Sequence, residues 1–166
     1  QYFSTVEVLP GYRDRENLTV PIAITAEPNR RNRYQYGVGY GTDTEVRGTA
    51  SWENRRVNER GHRFRTEIKA AALEQSLDAR YIVPIGDPAT EKFTIQLTGR
   101  HERLADIDDK SINFMPSFTH LTDSWFGKQQ KWQRVTYVEL LNTESEFIAS
   151  GRRDKQTLLI PGISFA

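Results

Sequence analysis

The feature that most constrains the fold is a strict two-residue periodicity between residues 34 and 83. Four successive stretches of about nine residues each alternate apolar with polar side chains. Neighbouring residues of a β-strand point to opposite faces of a sheet, so each stretch predicts a strand with one apolar and one polar face. We therefore predict an antiparallel β-meander for this part of the chain.

The two faces of these strands differ in an unusual way. The apolar face is thin, aromatic and spaced by glycine and alanine, as in Tyr34, Tyr36, Val38 and Tyr40, whereas the polar face carries charges of both signs. Strands of about ten residues with an apolar outer face and a polar inner face are typical of outer-membrane β-barrels. A soluble antiparallel sheet with a solvated charged face is the alternative that the pattern leaves open.

The periodicity also assigns individual side chains to the two faces of the predicted barrel wall. The residues expected to face lipid are Val46, Ala50, Trp52, Phe64 and Ile68. The residues expected to face the lumen are Arg47, Arg63, Arg65, Glu67 and Asp78.

The rest of the chain predicts further strands. Before the meander, a short hairpin is expected from residues 2–8 and 18–27 around a polar loop at residues 12–17, and this piece is too small to fold alone. After it, four more strands are expected at residues 93–100, 111–118, 132–142 and 157–165. The loops between these four strands are expected at residues 101–110, 122–131 and 143–155. Pro116 predicts a bulge or an edge position for its strand.

Composition narrows the classes of function. The chain has 166 residues, a net charge of +1 and no cysteine. It cannot hold a disulfide or a cysteine-ligated metal. The basic cluster between Arg55 and Arg65 is interrupted by Glu59, and the overall charge gives no general argument for nucleic acid, so we expect no nucleic-acid partner.

No residue constellation predicts catalysis or a cofactor. His62, His101 and His120 lie far apart, without the spacing of metal ligands. The aspartates of residues 106–109 lack the glycine and the distal glutamate of a calcium loop, so they are interpreted as an exposed loop. We expect a protein that is not an enzyme and has no catalytic residue, metal or cofactor.

Three segments carry a resemblance to a known family: GVGYGTD at residues 37–43, WENRRVNERGH at residues 52–62 and EQSLDARYIVPI at residues 74–85. They resemble the start of the barrel in the BamA/TamA family of bacterial outer-membrane assembly proteins, and its TamA-like members in particular. Residues 2–43 resemble that family's junction between the last periplasmic POTRA domain and the first barrel strand. The resemblance covers essentially the whole chain.

The resemblance implies a domain organisation. Residues 1–28 would be the C-terminal part of a POTRA domain, residues 29–33 a linker, and residues 34–166 the N-terminal half of an outer-membrane β-barrel. The family's barrel has sixteen strands and this chain has room for about eight, so a fragment is expected. The family's lumenal Val-Arg-Gly-aromatic motif is not transferred to Val46, Arg47 and Gly48, because Thr49 follows them and they lie in an early strand.

The resemblance also implies a function and partners. It implies assembly or translocation of β-barrel clients such as autotransporters, through a seam at the first barrel strand. The residues expected to pair with a client strand are Tyr36, Gly37, Val38, Gly39 and Tyr40. The implied partners are outer-membrane lipid, client polypeptides and a TamB-like protein anchored in the inner membrane. The implied location is the outer membrane of a Gram-negative bacterium, where surface antigens of this family lie, with the N-terminal segment in the periplasm.

Two other classes of function remain open. One is a self-contained structural or pore-forming barrel of about eight strands. The other is a soluble β-sheet domain that binds a partner. If the chain is an eight-stranded open sheet, its unpaired edges and apolar face predict that it self-associates.

Overall fold

The computed structural model describes residues 3–11, 19–41, 45–87, 90–124 and 127–166. The described residues form ten β-strands, in two compact units that comprise Gln1–Arg31 and Asn32–Ala166. Within the described ranges, no helix has the length and apolarity needed to cross a membrane.

The first unit is a two-stranded hairpin. Strands β1 (Phe3–Pro10) and β2 (Ile22–Pro28) pair in antiparallel fashion, with Val6 opposite Ala26. This confirms the predicted pair of strands. The polar loop predicted at residues 12–17 lies outside the described residues.

The second unit is an eight-stranded antiparallel meander. Its strands are β3 (Asn32–Gly41), β4 (Glu45–Asn54), β5 (Arg63–Ala71), β6 (Glu74–Pro84), β7 (Lys92–Leu104), β8 (Ile107–Ser124), β9 (Gly127–Phe147) and β10 (Arg152–Phe165). Each strand pairs with its neighbours in sequence, and β3 and β10 form the two edges of the sheet. The predicted all-β meander of about eight strands is confirmed, and strands β3 to β6 correspond to the four alternating stretches predicted between residues 34 and 83.

The charged loops predicted after β6 were wrong. Residues 101–104 belong to β7, residues 107–110 to β8, residues 143–147 to β9 and residues 152–155 to β10. The exposed loop predicted at residues 106–109 is wrong for the same reason, because Asp108 and Asp109 lie in β8. A turn was also predicted at residues 122–131. Residues 122–124 belong to β8 and residues 127–131 to β9, whereas Trp125 and Phe126 lie outside the described residues.

Cross-strand ion pairs explain how such charged segments remain in strands. The two carboxylate oxygens of Asp108 lie 2.9 Å from His101 Nε2 and 3.3 Å from Arg103 Nε. In the next hairpin, Lys155 Nζ lies 3.1 Å from Glu144 Oε2. Opposite charges that face each other across a ladder stabilise the pairing of the two strands.

Pro116 occupies a central strand, so the prediction of a bulge or an edge position was wrong. It pairs with Ile95 in β7. The ladder between β8 and β9 runs to Phe114 opposite Leu140 and resumes in the same register at Ser117 opposite Tyr137. The missing amide of proline therefore interrupts one ladder locally without shifting its register.

The sheet has no apolar core among the described residues. No hydrophobic side chain there is buried, and the two buried polar residues are Ser117 and Thr119. The sheet therefore holds together through its hydrogen-bonded ladders and through contacts between neighbouring side chains on each face.

Candidate functional site

The apolar face of the sheet contains all five residues that were predicted to face lipid. The ladder places Ala50 opposite Ile68, and the rings of Trp52 and Phe64 meet edge to face with centroids 5.5 Å apart. Val46 and Ile68 are 65% and 50% exposed. The shared face is established by the register of the strands, whereas contact with lipid remains a prediction.

The same face continues to the far edge of the sheet. One row crosses four strands and comprises Leu97, Phe114, Leu140 and Leu159. Every member of this row is an exposed large hydrophobic residue. A continuous exposed apolar surface of this kind marks contact with a partner or with a membrane.

The opposite face contains the five residues that were predicted to face the lumen. Glu67 lies opposite Asp78 in the ladder between β5 and β6. The carboxylate of Glu67 accepts a hydrogen bond of 3.2 Å from Arg65 Nη2 and lies 3.4 Å from Lys69 Nζ. The same alternation and register place the remaining two residues, Arg47 and Arg63, on this face.

A hydrogen-bonded network occupies the middle of this polar face. Asp78 Oδ2 accepts hydrogen bonds from Gln96 Nε2 at 2.9 Å and from Thr98 Oγ1 at 3.0 Å. Arg80 Nη2 donates to Gln96 Oε1 at 3.1 Å. These side chains line a concavity of about 550 Å³. Of the five residues that were predicted to face the lumen, Asp78 is the one that accepts the hydrogen bonds at the middle of this network.

Sequence reasoning missed the other members of the network. Gln96 and Thr98 alternate with Phe93, Ile95 and Leu97, so the period-two pattern of β7 predicts that they lie on the polar face. Asn113 Nδ2 donates to Glu139 Oε1 at 2.6 Å, and this contact depends on a register between β8 and β9 that the sequence did not supply.

Strand β3 is the edge that was predicted to pair with a client strand. Its apolar side chains Tyr36, Val38 and Tyr40 are 80%, 89% and 74% exposed. On the polar face, a Cβ added at Gly37 would lie 2.6 Å from Thr49 Oγ1, and one added at Gly39 would lie 3.0 Å from Arg47 Nε. Side chains of β4 thus lie close to both glycines, and the absence of a Cβ at these positions allows this close approach.

The three histidines make separate contacts. His62 Nδ1 lies 2.8 Å from the hydroxyl of Tyr81, and His120 Nδ1 lies 2.7 Å from Glu91 Oε1. His101 contacts Asp108 near the turn between β7 and β8. Over the described ranges, no group of three or more histidine, aspartate or glutamate side chains is arranged to hold a metal ion.

Comparison with known proteins identifies the fold. No protein-family model matches the chain. Among solved structures, the chain is similar to a crystal structure of BamA from Haemophilus ducreyi that lacks POTRA domains 1–3, with a TM-score of 0.64 and 10% sequence identity. The match covers 99% of this chain and 34% of the crystallised BamA chain, so this chain spans about a third of the length of that chain. The all-β antiparallel meander therefore has a fold that resembles the BamA barrel.

Proposed function

We propose that the chain is part of an outer-membrane β-barrel that assembles or translocates other β-barrel proteins. In this proposal, residues 1–28 are the C-terminal part of a periplasmic POTRA domain, residues 29–33 are a linker, and residues 34–166 are the N-terminal half of the barrel. The likeness to the BamA fold supports the barrel. The sequence resemblance of residues 2–43 supports the POTRA junction.

The observation that carries the proposal is the inverted distribution of side chains on the sheet. Apolar side chains such as Ile68, Leu97 and Phe114 are exposed, whereas polar side chains such as Asp78 and Gln96 are half-buried and bonded to one another. In a soluble sandwich the apolar face would be the covered one. In a membrane barrel, lipid covers the apolar face and the polar side chains line the interior.

The proposed assembly activity resides in the open edge at β3. An edge strand presents unpaired backbone groups that can bind another strand, which is the mechanism of β-augmentation. Gly37 and Gly39 leave β3 few side-chain contacts that would hold it to a fixed neighbour. In this role the pairing residues are Tyr36, Gly37, Val38, Gly39 and Tyr40.

The sequence resemblance supports finer assignments within this function. A TamA-like protein would act on autotransporter-type clients and bind a TamB-like partner, anchored in the inner membrane, through its periplasmic domains. These assignments place the protein in the outer membrane of a Gram-negative bacterium, with its N-terminal segment in the periplasm.

The membrane orientation is tested by cysteine labelling in the full-length parent protein in its outer membrane. The chain has no cysteine, so single cysteines can be introduced without a background. We expect cysteines at Val46, Phe64 and Ile68 to resist a water-soluble maleimide, whereas cysteines at Arg47 and Glu67 react. Equal labelling of the two sets would contradict the barrel.

The assembly function is tested by depletion. Loss of the full-length parent should reduce the folded, protease-resistant form of autotransporter-type clients, and plasmid-borne wild-type protein should restore it. Normal client assembly after depletion, combined with increased resistance to small hydrophilic solutes, would instead favour a pore-forming barrel.

A further inference from the structure

The polar side of the open edge carries a cation whose side chain lies close to the edge strand. Arg47 lies in β4, directly opposite Gly39 in β3. A Cβ placed on Gly39 would lie 3.4 Å from Arg47 Cγ, 3.8 Å from its Cδ and 3.0 Å from its Nε. The arginine side chain therefore leans from β4 toward Gly39.

The position of Nε indicates where the charge of Arg47 lies. Nε lies 3.0 Å from the position that a Cβ on Gly39 would occupy, and the guanidinium carbon is one bond beyond Nε. The charge therefore lies on the polar face close to Gly39. Neighbouring strands are about 4.8 Å apart, so a side chain on a strand that pairs with β3 could reach this charge.

This guanidinium also has no ion-pair partner among the residues that the structure describes. Arg47 is exposed, and no hydrogen bond or ion pair joins it to another described residue. Other cations of the same face are already paired: Arg65 with Glu67, and Arg100 with Glu74 at 2.9 Å. A guanidinium offers its donors in a fork that matches the two oxygens of a carboxylate.

We propose that Arg47 selects the strand that pairs with β3 by binding a carboxylate on the polar face of that strand, at the position beside Gly39. The inference rests on the proposed pairing at β3 and specifies the chemistry of the partner. Thr49, whose hydroxyl lies over Gly37, contributes a neutral hydrogen-bonding group about 6.7 Å along the strand, two residues away. The preferred partner therefore carries an acidic residue beside Gly39 and a neutral polar residue beside Gly37.

The test uses crosslinking, which fixes the register of the incoming strand. The Val38→Cys variant of the full-length parent, in detergent micelles, is oxidised with nine-residue peptides of alternating valine and serine that contain one cysteine. In an antiparallel pair, the residue before the peptide cysteine lies beside Gly39 and the residue after it lies beside Gly37. Aspartate, asparagine or lysine is placed at either position.

With Arg47 present, we expect aspartate beside Gly39 to crosslink about three- to tenfold more than asparagine, and lysine to crosslink least. Arg47→Glu should reverse this order, and Arg47→Lys should retain part of it. Gly39→Ala, whose methyl group would lie 3.0 Å from Arg47 Nε and push it aside, should weaken the preference while the crosslink itself persists. The same substitutions beside Gly37 should change the yield much less.

The outcomes separate this inference from the proposed function. Equal crosslinking of all peptides, or the same order in the Arg47→Glu variant, would overturn the role of Arg47 and leave strand pairing at β3 intact. No crosslink with any peptide would overturn both.

Discussion

The ring of Tyr137 lies over the backbone of Gly162, directly opposite it in the ladder between β9 and β10. Ring atoms of Tyr137 occupy the space that a Cβ on Gly162 would need. An aromatic ring that covers a glycine on the neighbouring strand replaces the packing that glycine itself cannot supply. This contact favours the observed register of the last hairpin, whose second strand forms an open edge of the sheet.

Replacing Gly162 by valine should destabilise the protein, because the ring of Tyr137 must leave its position. Overpacking of this kind costs about 1–3 kcal/mol. The measurement is urea unfolding of the full-length parent in lipid vesicles. Gly99→Ala is the matched control, because a Cβ there meets no atom within 4 Å, and it should be neutral or slightly stabilising. Equal losses in the two variants would contradict the role of the ring.

Replacing Ile68 by arginine should cost far more than the same change at Thr49. Ile68 lies on the apolar face and Thr49 on the polar face, and they belong to neighbouring strands. A cation facing lipid near the membrane midplane costs about 2–4 kcal/mol, whereas one facing an aqueous lumen costs little. The folded fraction in vesicles measures the difference. Equal stability of the two arginine variants would favour a soluble sheet.

The charged end of the hairpin formed by β7 and β8 predicts a dependence of stability on pH. In the proposed barrel, a strand needs about 9–11 residues to span the membrane, whereas β7 and β8 have 13 and 18, so their charged end would extend beyond the apolar band. Burial raises the pKa of Asp108, but hydrogen bonds from His101 and Arg103, together with the charge of Lys110, outweigh it and hold that pKa below its ordinary value. Its stabilising contribution is therefore present at neutral pH, above the ordinary aspartate pKa, and is lost as the pH falls through the lowered value.

Asp108→Asn tests this contribution, because asparagine keeps the shape and removes the charge. We expect the variant to be less stable than wild type at pH 7. The difference in urea midpoint should shrink once the pH falls below about 4, the ordinary range of the carboxyl group, and should vanish in stronger acid. A difference that stayed constant from pH 7 to pH 2 would show that the ion pairs do not stabilise this hairpin.

The sequence predicted the strands where hydrophobic periodicity was strong, and failed where charge replaced it. Between Tyr34 and Val83 the alternation of side chains sets both the strands and their faces, and the structure follows it. At Arg103 and Asp108 the polar side chains suggested a loop, because their stabilising partners lie on the opposite strand. Such pairs become visible only when the register is known, since a shift of one residue exchanges the two faces.

The register likewise limited prediction of the candidate site. Gly37 and Gly39 are recognisable in the sequence as weak points of a strand. That Arg47 and Thr49 lie over them depends on the ladder between β3 and β4, which places Arg47 opposite Gly39 and Thr49 opposite Gly37. The side chains of β4, and not those of β3 alone, therefore define the polar surface of the open edge.

The backbone of β3 is the part of the proposed seam that proline substitution tests most directly. Proline removes one amide donor and so breaks the ladder on the side that its amide would face, as Pro116 does between β8 and β9. Hydrogen-bonding groups of successive residues point to opposite sides of a strand, so the amides of Val38 and Gly39 face opposite neighbours, one of them β4 and the other the free edge. Val38→Pro and Gly39→Pro should therefore differ in their effects.

One proline should block client assembly while the barrel remains stable, and the other should destabilise the hairpin formed by β3 and β4. Pulse-labelled client in protease-resistant form measures assembly, and urea unfolding of the full-length parent measures stability. Tyr36→Phe is the control, since it alters a side chain and leaves the backbone donors intact, and its effect should be mild. Full client assembly in each of the two proline variants would exclude β3 as the pairing edge, because one of two successive amides must face the strand that pairs there.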